Sequence, residues 1–202
     1  MKENKTLYKI AKAIYSKLLK IIYKPTVKGT ENIPEKGAII FVGNHKHAFD
    51  PIMVMSNTNR IVHYMAKESL FKGIHGKIFE SIGTIKVHRN KSNPVAILKA
   101  ERVLKQGGAV GIFPEGTRNR TKQELLKFRY GAVKIAQKTN TPIIPFAIKG
   151  DYKPFRKGLS IEFGKTIDVS KMEIEEANNY IKNEEFGKGS MLPKIEACKE
   201  FV

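Results

Sequence analysis

The amino-acid sequence predicts an α/β fold with a mixed, mainly parallel central sheet, flanked by helices and preceded by an amphipathic helical segment. Short apolar runs alternate along the chain with stretches of helical period, which is typical of strands connected by helices. The chain has 202 residues, 41% of them hydrophobic and 28% charged, a globular composition with enough residues for one sizeable core. Its single cysteine, Cys198, excludes a disulfide within the chain and fits a reducing compartment.

The first predicted element is an amphipathic helix that ends at Pro25, because proline cannot continue a helix. Lysines occupy much of its polar surface, which favours a segment lying on a membrane; the alternative is a terminal helix that packs its apolar face on the core. We therefore expect a membrane-surface helix in residues 1–24 and the main domain in residues 25–202. The apolar face comprises Leu7, Ile10, Ala11, Ile14, Leu18, Ile21 and Ile22.

Six strands and five further helices are predicted after this segment, from apolar runs and from proline and glycine at helix ends. The predicted strands are residues 37–43, 61–66, 83–87, 109–114, 142–148 and 159–164. The predicted helices are residues 51–58, 69–82, 94–106, 127–140 and 170–184. The last of these is expected to begin with a capping box formed by Ser170 and Glu173.

No apolar run approaches the roughly 18 residues of a membrane-spanning helix, and lysines interrupt the N-terminal apolar positions, so neither a spanning helix nor a secretory signal is expected.

Two polar loops directly follow predicted strands. The sequence "NHKHAFD" follows the first strand, and "PEGTRNR" follows the fourth. In α/β sheets, reactive loops lie beyond the carboxyl ends of the strands. We therefore expect one edge of the sheet to present both loops.

The residues of the first loop alone leave three interpretations open. His45 is suited to act as a general base with Asp50 on its other ring nitrogen, and such a pair deprotonates a hydroxyl. There is no G-x-S-x-G motif, which favours direct attack by a substrate alcohol over a covalent intermediate. His45, His47 and Asp50 are also ligand types for zinc or iron, but no second cluster of ligands accompanies them. In the third interpretation Asp50 caps the helix that begins at Pro51.

The second loop brings together an acidic residue, a glycine and an arginine. Gly116 allows a close backbone approach, and Arg118 is suited to bind a phosphate or carboxylate through two hydrogen bonds. Glu115 is suited to accept hydrogen bonds from a polyol or to orient Arg118. Taken alone, this loop is equally well explained as an ordinary turn with a surface ion pair.

Together, "NHKHAFD" and "FPEGTR" resemble the lysophosphatidate (1-acylglycerol-3-phosphate) acyltransferase family and the wider glycerolipid acyltransferase superfamily, over about residues 23–164. "GTIKVHR" and "TPIIPFAI" resemble the second and fourth blocks of that family, and "KFRYGAVKIA" resembles its Phe-x-x-Gly segment. His88 stands where the second block usually has an acidic residue. Lys67 in "YMAKESL" matches a lysine that the family uses near the substrate phosphate.

The resemblance implies an O-acyltransferase of phospholipid biosynthesis. A fatty acyl group would pass from a thioester donor, acyl-CoA or acyl carrier protein, to the hydroxyl of lysophosphatidate, giving phosphatidic acid. His45 would be the base and Asp50 would orient it, with no cofactor and no metal. The substrate-binding residues would be Lys67, Arg89, Glu115, Gly116, Thr117 and Arg118.

The net charge of +18 indicates a polyanionic partner. An anionic membrane surface and an acidic carrier protein both fit, and we expect a peripheral enzyme on the cytoplasmic face of the cell membrane. The alternatives are a sister acyltransferase that uses glycerol-3-phosphate, another lysophospholipid or an aminoacyl lipid, a nucleic-acid-binding protein, and a lipid-binding protein with a decayed site. Nucleic acid is not expected as a partner, because no RNP-like, KH-like or finger motif is present.

Overall fold

The computed structural model describes residues 4–88 and 93–186, and these residues form six α-helices, seven strands and two short 3-10 helices. The helices are α1 (Lys5–Tyr23), α2 (Asp50–Met55), α3 (Gly73–Ser81), α4 (Pro94–Lys105), α5 (Gly131–Thr139) and α6 (Ile174–Phe186). The strands are β1 (Thr26–Lys28), β2 (Ile39–Gly43), β3 (Val62–Lys67), β4 (Ile85–Val87), β5 (Ala109–Ile112), β6 (Ile143–Lys149) and β7 (Ser160–Phe163). The 3-10 helices are Thr30–Asn32 and Glu68–Phe71.

All seven strands belong to one sheet, in the order β1-β7-β6-β2-β5-β3-β4. The strands from β6 to β4 run parallel to one another, whereas β7 is antiparallel to β6 and parallel to β1. This confirms the predicted mixed, mainly parallel sheet. The short edge strand β1 was not predicted, because three residues are too few for an alternation of apolar and polar side chains to be recognised.

Both faces of the sheet are covered, and the central strand β2 shows how the sequence achieves this. Ile40 and Val42 pack in a core that includes residues of α4, α5 and α6. Ile39 and Phe41 point to the other face, where residues of α1 and α2 close a second core. Successive strand residues alternate between faces, so a run that is apolar at every position belongs in a strand buried on both sides.

The predicted N-terminal helix is confirmed as α1, but it packs on the domain with a different face from its apolar stripe. Tyr8 and Leu19 are buried, and the Tyr8 hydroxyl accepts a hydrogen bond from the Val62 N–H at 3.0 Å. The Asn4 N–H donates to the Ser81 carbonyl at 2.8 Å, which ties the helix start to the end of α3. The outward face keeps four apolar side chains between 47% and 54% exposed: Ile10, Ile14, Leu18 and Ile21.

Helix α6 begins four residues later than predicted. Its first helical residue is Ile174, and the Ala177 N–H donates to the Glu173 carbonyl, so Glu173 lies at the helix start rather than one turn inside. The Ser170 N–H donates to the Asp168 side chain at 2.9 Å. The predicted capping box is therefore wrong, because this local turn holds Ser170 outside the helix.

Candidate active site

The two polar loops meet at one edge of the sheet. Strands β2, β3, β5 and β6 are mutually parallel, so their carboxyl ends lie together. His45 follows β2, Lys67 is the last residue of β3, Glu115 follows β5, and Tyr152 follows β6. Residues far apart in the chain thereby surround one point, as expected for reactive loops in an α/β sheet.

The loop after β2 starts from a fixed position because Asn44 prolongs the strand pairing. Its side-chain amide donates to the Ile148 carbonyl and accepts from the Ile148 N–H, each at 2.8 Å. Asn44 is buried, so the two bonds also satisfy its polar atoms. The chain then leaves the sheet at His45 with a defined direction.

His45 and Asp50 form a hydrogen-bonded pair, with 2.9 Å between His45 Nδ1 and Asp50 Oδ2. A carboxylate only accepts, so Nδ1 carries the proton and Nε2 is the nitrogen able to accept one. The Asp50 side chain is fully buried, whereas the His45 side chain is 18% exposed. The pair can therefore meet a substrate through the imidazole alone.

The Asp50 carboxylate is held by the loop that it closes. Its Oδ2 also accepts the backbone N–H groups of Lys46 and His47, each at 2.7 Å. Its Oδ1 accepts the hydroxyl of Tyr152 at 2.7 Å. Asp50 is the first residue of α2, and no side chain caps that helix. The interpretation of Asp50 as a helix cap is therefore wrong, because the carboxylate turns back toward the preceding loop.

The imidazole of His45 is fixed by its surroundings on two further sides. Its ring stacks on the Phe113 ring, with 4.1 Å between centroids and 17° between planes. The His45 N–H donates to Glu115 Oε1 at 2.8 Å, and the His45 carbonyl accepts the Asn119 N–H at 2.6 Å. The loop after β5 thus sets the position of the imidazole that the loop after β2 supplies.

Glu115 joins the two halves of the site. Glu115 is 3% exposed. Its Oε1 accepts the His45 N–H, and its Oε2 accepts the Leu126 N–H at 2.9 Å. Backbone donors therefore satisfy both oxygens. A direct contact between Glu115 and a substrate stays a prediction, while its contact with the His45 loop is part of the structure.

A groove of about 1230 Å³ opens in front of His45. Helices α1, α2 and α3 supply apolar walls, among them Tyr15, Ile52, Met55, Ile78 and Phe79. The predicted substrate-binding residues Lys67, Gly116, Thr117 and Arg118 also line this groove. The cavity thus combines cationic groups with enough apolar surface for a hydrocarbon chain.

Two arginines that the sequence reasoning did not single out, Arg120 and Arg129, also line the groove. Gly116 has φ +67°, and a Cβ at this position would lie 3.0 Å from Arg129 Nε. Glycine therefore gives Arg129 room beside the loop. The sequence contained a signal for Arg120, which is the last residue of "PEGTRNR". It contained none for Arg129, which lies in a separate segment just before a helix.

The predicted phosphate ligand Arg89 lies outside the described residues. The neighbouring His88 is described, and its Nδ1 forms an ion-pair contact with Glu68. His88 also lines the groove. The segment that leads to Arg89 therefore approaches the same cavity as Lys67.

The histidines of the first loop do not converge. The His47 Nδ1 accepts the Phe49 N–H at 3.3 Å, and its ring stacks on Tyr152 at 4.4 Å. Within residues 4–88 and 93–186, no three side chains of His, Cys, Asp or Glu lie close enough together to hold a metal ion. The geometry favours a general base over a zinc or iron site for this loop.

The arrangement matches a known family. The family model for Acyltransferase matches residues 24–149, more than half of the chain. The chain belongs to this family. The matched region begins at the residue that follows α1 and contains β2, β3, β5 and β6 with the loops that carry His45 and Glu115.

Curated relatives within the family are named as 1-acyl-sn-glycerol-3-phosphate acyltransferases. The protein of that name from Borreliella burgdorferi is 34% identical over 167 residues, which cover 77% of this chain and 66% of that protein. The one from Bacillus subtilis is 33% identical over 126 residues, which cover 61% of this chain and 62% of that protein. The chain thus spans slightly less than two thirds of the length of these relatives.

A solved structure is similar to this chain as well. The crystal structure of the 1-acyl-sn-glycerophosphate (LPA) acyltransferase PlsC from Thermotoga maritima matches with a TM-score of 0.72 and 25% identity. The match covers 97% of this chain and 79% of that protein. The likeness therefore extends over the helices and strands outside the region of the family model. In the part of the chain that the structure describes, no helix is both long and apolar enough to cross a membrane.

Proposed function

We propose that this protein is a lysophosphatidate acyltransferase that makes phosphatidic acid. The observation that supports this function is the placement of the His45–Asp50 pair at a groove with cationic groups and apolar walls. A phosphorylated acceptor with one acyl chain has both chemical parts that such a groove matches. The names of the curated relatives point to the same acceptor.

His45 acts as general base in a direct transfer. Its Nε2 takes the proton of the acceptor hydroxyl, and the hydroxyl oxygen attacks the carbonyl carbon of the thioester. The tetrahedral intermediate then collapses, the carbon–sulfur bond breaks, and the thiolate leaves with the proton from the imidazolium. Asp50 stabilises the imidazolium and keeps its Nδ1 proton in place. No covalent enzyme intermediate, metal or cofactor takes part.

The phosphate of the acceptor is bound by the cations of the groove. Arg118 offers a guanidinium that matches a phosphate with two parallel hydrogen bonds, and Lys67 adds a second positive charge. Arg89 is proposed as a third cation of this site. Gly116 and Thr117 shape the acceptor pocket beside Arg118, and Glu115 keeps this loop attached to the loop of His45.

The proposed attachment to the membrane uses the outward face of α1. Its four exposed apolar residues lie next to exposed Lys9, Lys17 and Lys20, a distribution typical of helices that lie in a membrane interface. Leu70 and Ile78, which line the groove, are also exposed. We place the protein peripherally on the cytoplasmic face, where anionic lipids attract basic segments. The proposed membrane-surface segment is then residues 1–24, which contain α1, and the proposed acyltransferase domain is residues 25–202.

An assay with a panel of acceptors tests this function. Purified protein is incubated with lysophosphatidate, glycerol-3-phosphate or another lysophospholipid, each with acyl-CoA or acyl carrier protein as donor. We expect phosphatidic acid from lysophosphatidate with at least one donor. Transfer to glycerol-3-phosphate or to another lysophospholipid alone would identify a sister acyltransferase instead. If the protein transferred an acyl group to none of the acceptors, the proposal would be contradicted.

A further inference from the structure

We propose that Tyr152 is a positioning residue for the His45–Asp50 pair, an inference that rests on the proposed function. Its hydroxyl donates to Asp50 Oδ1 at 2.7 Å, and this oxygen is not the one that bonds to His45. Oδ2 accepts hydrogen bonds from the His45 ring and from two backbone N–H groups, whereas Oδ1 accepts one from a side chain of the loop after β6. The tyrosine therefore fixes the rotation of the Asp50 carboxylate about the Cβ–Cγ bond.

Tyr152 is held between helix α1 and the loop that carries His45. It lies three residues after the end of β6, which pairs with β2. Its ring stacks on His47 at 4.4 Å and meets the ring of Tyr23 edge-on at 5.3 Å. Aromatic pairs of this geometry restrict the ring on both sides. The hydroxyl is therefore directed at Asp50 by Tyr23 of α1 and by His47 of the loop that carries His45.

The same loop is attached to the end of helix α1. The Phe155 N–H donates to the Ile22 carbonyl at 2.6 Å, next to the Tyr23 that contacts Tyr152. Lys46, in the loop of the pair, donates through Nζ to the Gly150 carbonyl at 3.3 Å. The C-terminal end of α1, the loop after β6 and the loop of the catalytic pair thus form one connected unit.

The hydroxyl of Tyr152 stays a donor over the pH range in which a histidine titrates. Burial, and then the negative charge of Asp50, raise the pKa of Tyr152. A deprotonated tyrosine beside Asp50 would place two negative charges together. The tyrosine therefore stabilises the ionised carboxylate through one neutral donor.

This bond affects the imidazole through the carboxylate. A donor on Oδ1 draws negative charge away from Oδ2, so less charge is available to stabilise the imidazolium of His45. Other groups near the pair are Tyr64 of β3, whose hydroxyl is buried, and Glu115 after β5, which bonds to the His45 backbone. The exposed ion pair of Asp151 and Lys153 flanks Tyr152 in its loop. A substitution confined to the Tyr152 hydroxyl leaves all of these groups in place.

The experiment is the replacement Tyr152→Phe, which keeps the ring and its stacking and removes only the hydroxyl. The chain contains five histidines, and the His45 signal in a proton NMR titration is assigned with His45→Gln. We expect the titration midpoint of His45 to rise by roughly half a pH unit in Tyr152→Phe. Without the tyrosine donor, the Asp50 carboxylate keeps more negative charge to stabilise the imidazolium. An unchanged midpoint in the folded variant would overturn the proposal.

Kinetics supply a second readout. We expect kcat to fall about tenfold and the acid limb of the pH profile to move to higher pH, with the acceptor KM little changed. The matched control is Tyr180→Phe, on a helix that packs on the opposite face of the sheet. The NMR titration needs no activity, so it still tests the role of Tyr152 if the acceptor assay fails. A tenfold loss without any movement of the profile or the midpoint would indicate a merely structural tyrosine.

Discussion

The carboxylate of Glu115 holds the backbone of His45, with 2.8 Å between Glu115 Oε1 and the His45 nitrogen. The bond joins the loop after β5 to the loop after β2, and Phe113 of the same segment stacks on the imidazole. The position of the proposed base is therefore set jointly by two loops whose bonded residues are 70 positions apart in the chain. The residues of the two motifs therefore contact one another directly.

Replacing Glu115 with glutamine tests this role. Both carboxylate oxygens accept backbone N–H groups, so an amide would direct its own donors at one of them. We expect a loss of about 1–3 kcal/mol in the free energy of unfolding together with a lower kcat. Thermal melting and steady-state kinetics measure the two effects. The control is Glu124→Gln, an exposed residue of the same loop. Full stability with a raised acceptor KM would instead assign Glu115 to the substrate.

Replacing His45 with alanine should abolish most of the transfer without unfolding the protein. Its imidazole is the exposed part of the pair, and removal of a general base costs roughly 10²–10⁴ in rate. His47→Ala is the matched control, because it removes the other imidazole of the same loop and keeps the backbone N–H that His47 donates to Asp50. We expect this control to retain substantial activity in the same assay. A dead His47→Ala beside an active His45→Ala would refute the assignment of the base.

Replacing Arg118 with alanine should weaken use of the phosphorylated acceptor. Loss of a guanidinium from a phosphate corresponds to about 1.5–3 kcal/mol, and lysine should restore only part of it because it lacks the planar fork. The readout is kcat/KM for acceptor and donor measured separately in Arg118→Ala and Arg118→Lys. Arg102→Ala, an exposed position in the last turn of α4, serves as control. An equal loss for both substrates would point to a collapsed site.

Replacing the four exposed apolar residues of α1 with glutamine should release the protein from anionic vesicles. These side chains make little contact with the domain, so the melting temperature should change little. Deleting the helix would not be a clean test, because it would also remove Tyr8 and Leu19 from the core. The substituted residues are Ile10, Ile14, Leu18 and Ile21.

Vesicle sedimentation at several salt concentrations measures this binding. Each lysine near an anionic surface contributes about 1 kcal/mol, so the wild-type protein should also dissociate as salt rises. The matched control replaces Thr6 and Ala13, exposed positions of α1 outside the apolar stripe, with glutamine. Unchanged vesicle binding by the fourfold variant would place the anchor elsewhere on the protein.

The sequence by itself determined the class of fold and the two loops of the site. The run "IIFVG" is apolar at every position, so it had to be a strand with both faces covered, as β2 is. The loops with His45 and Glu115 follow their strands directly, and parallel strands bring such loops to one edge. These conclusions depend on local patterns and on a general property of parallel sheets.

The tertiary structure decided which of several local possibilities each residue adopts. Asp50 had the sequence position of a helix cap, but three donors from its own loop and the hydroxyl of Tyr152 hold its carboxylate elsewhere. The apolar stripe of α1 had the period of a core-facing helix, but the residues of α1 that are buried against the domain are Tyr8 and Leu19. Both outcomes depend on partners that lie outside the local window of sequence.

Tyr152 and Arg129 joined the site only through the order of the strands and loops. Tyr152 is 102 residues from Asp50 in the chain, and it reaches the carboxylate because β6 pairs with β2. Arg129 reaches the groove because its N–H bonds to the Pro114 carbonyl, beside the loop after β5. The periodicity of a segment specifies which of its faces is buried, but not which segment will lie beside it. Which segments become neighbours depends on the simultaneous burial of all the apolar faces, and this is a property of the whole chain.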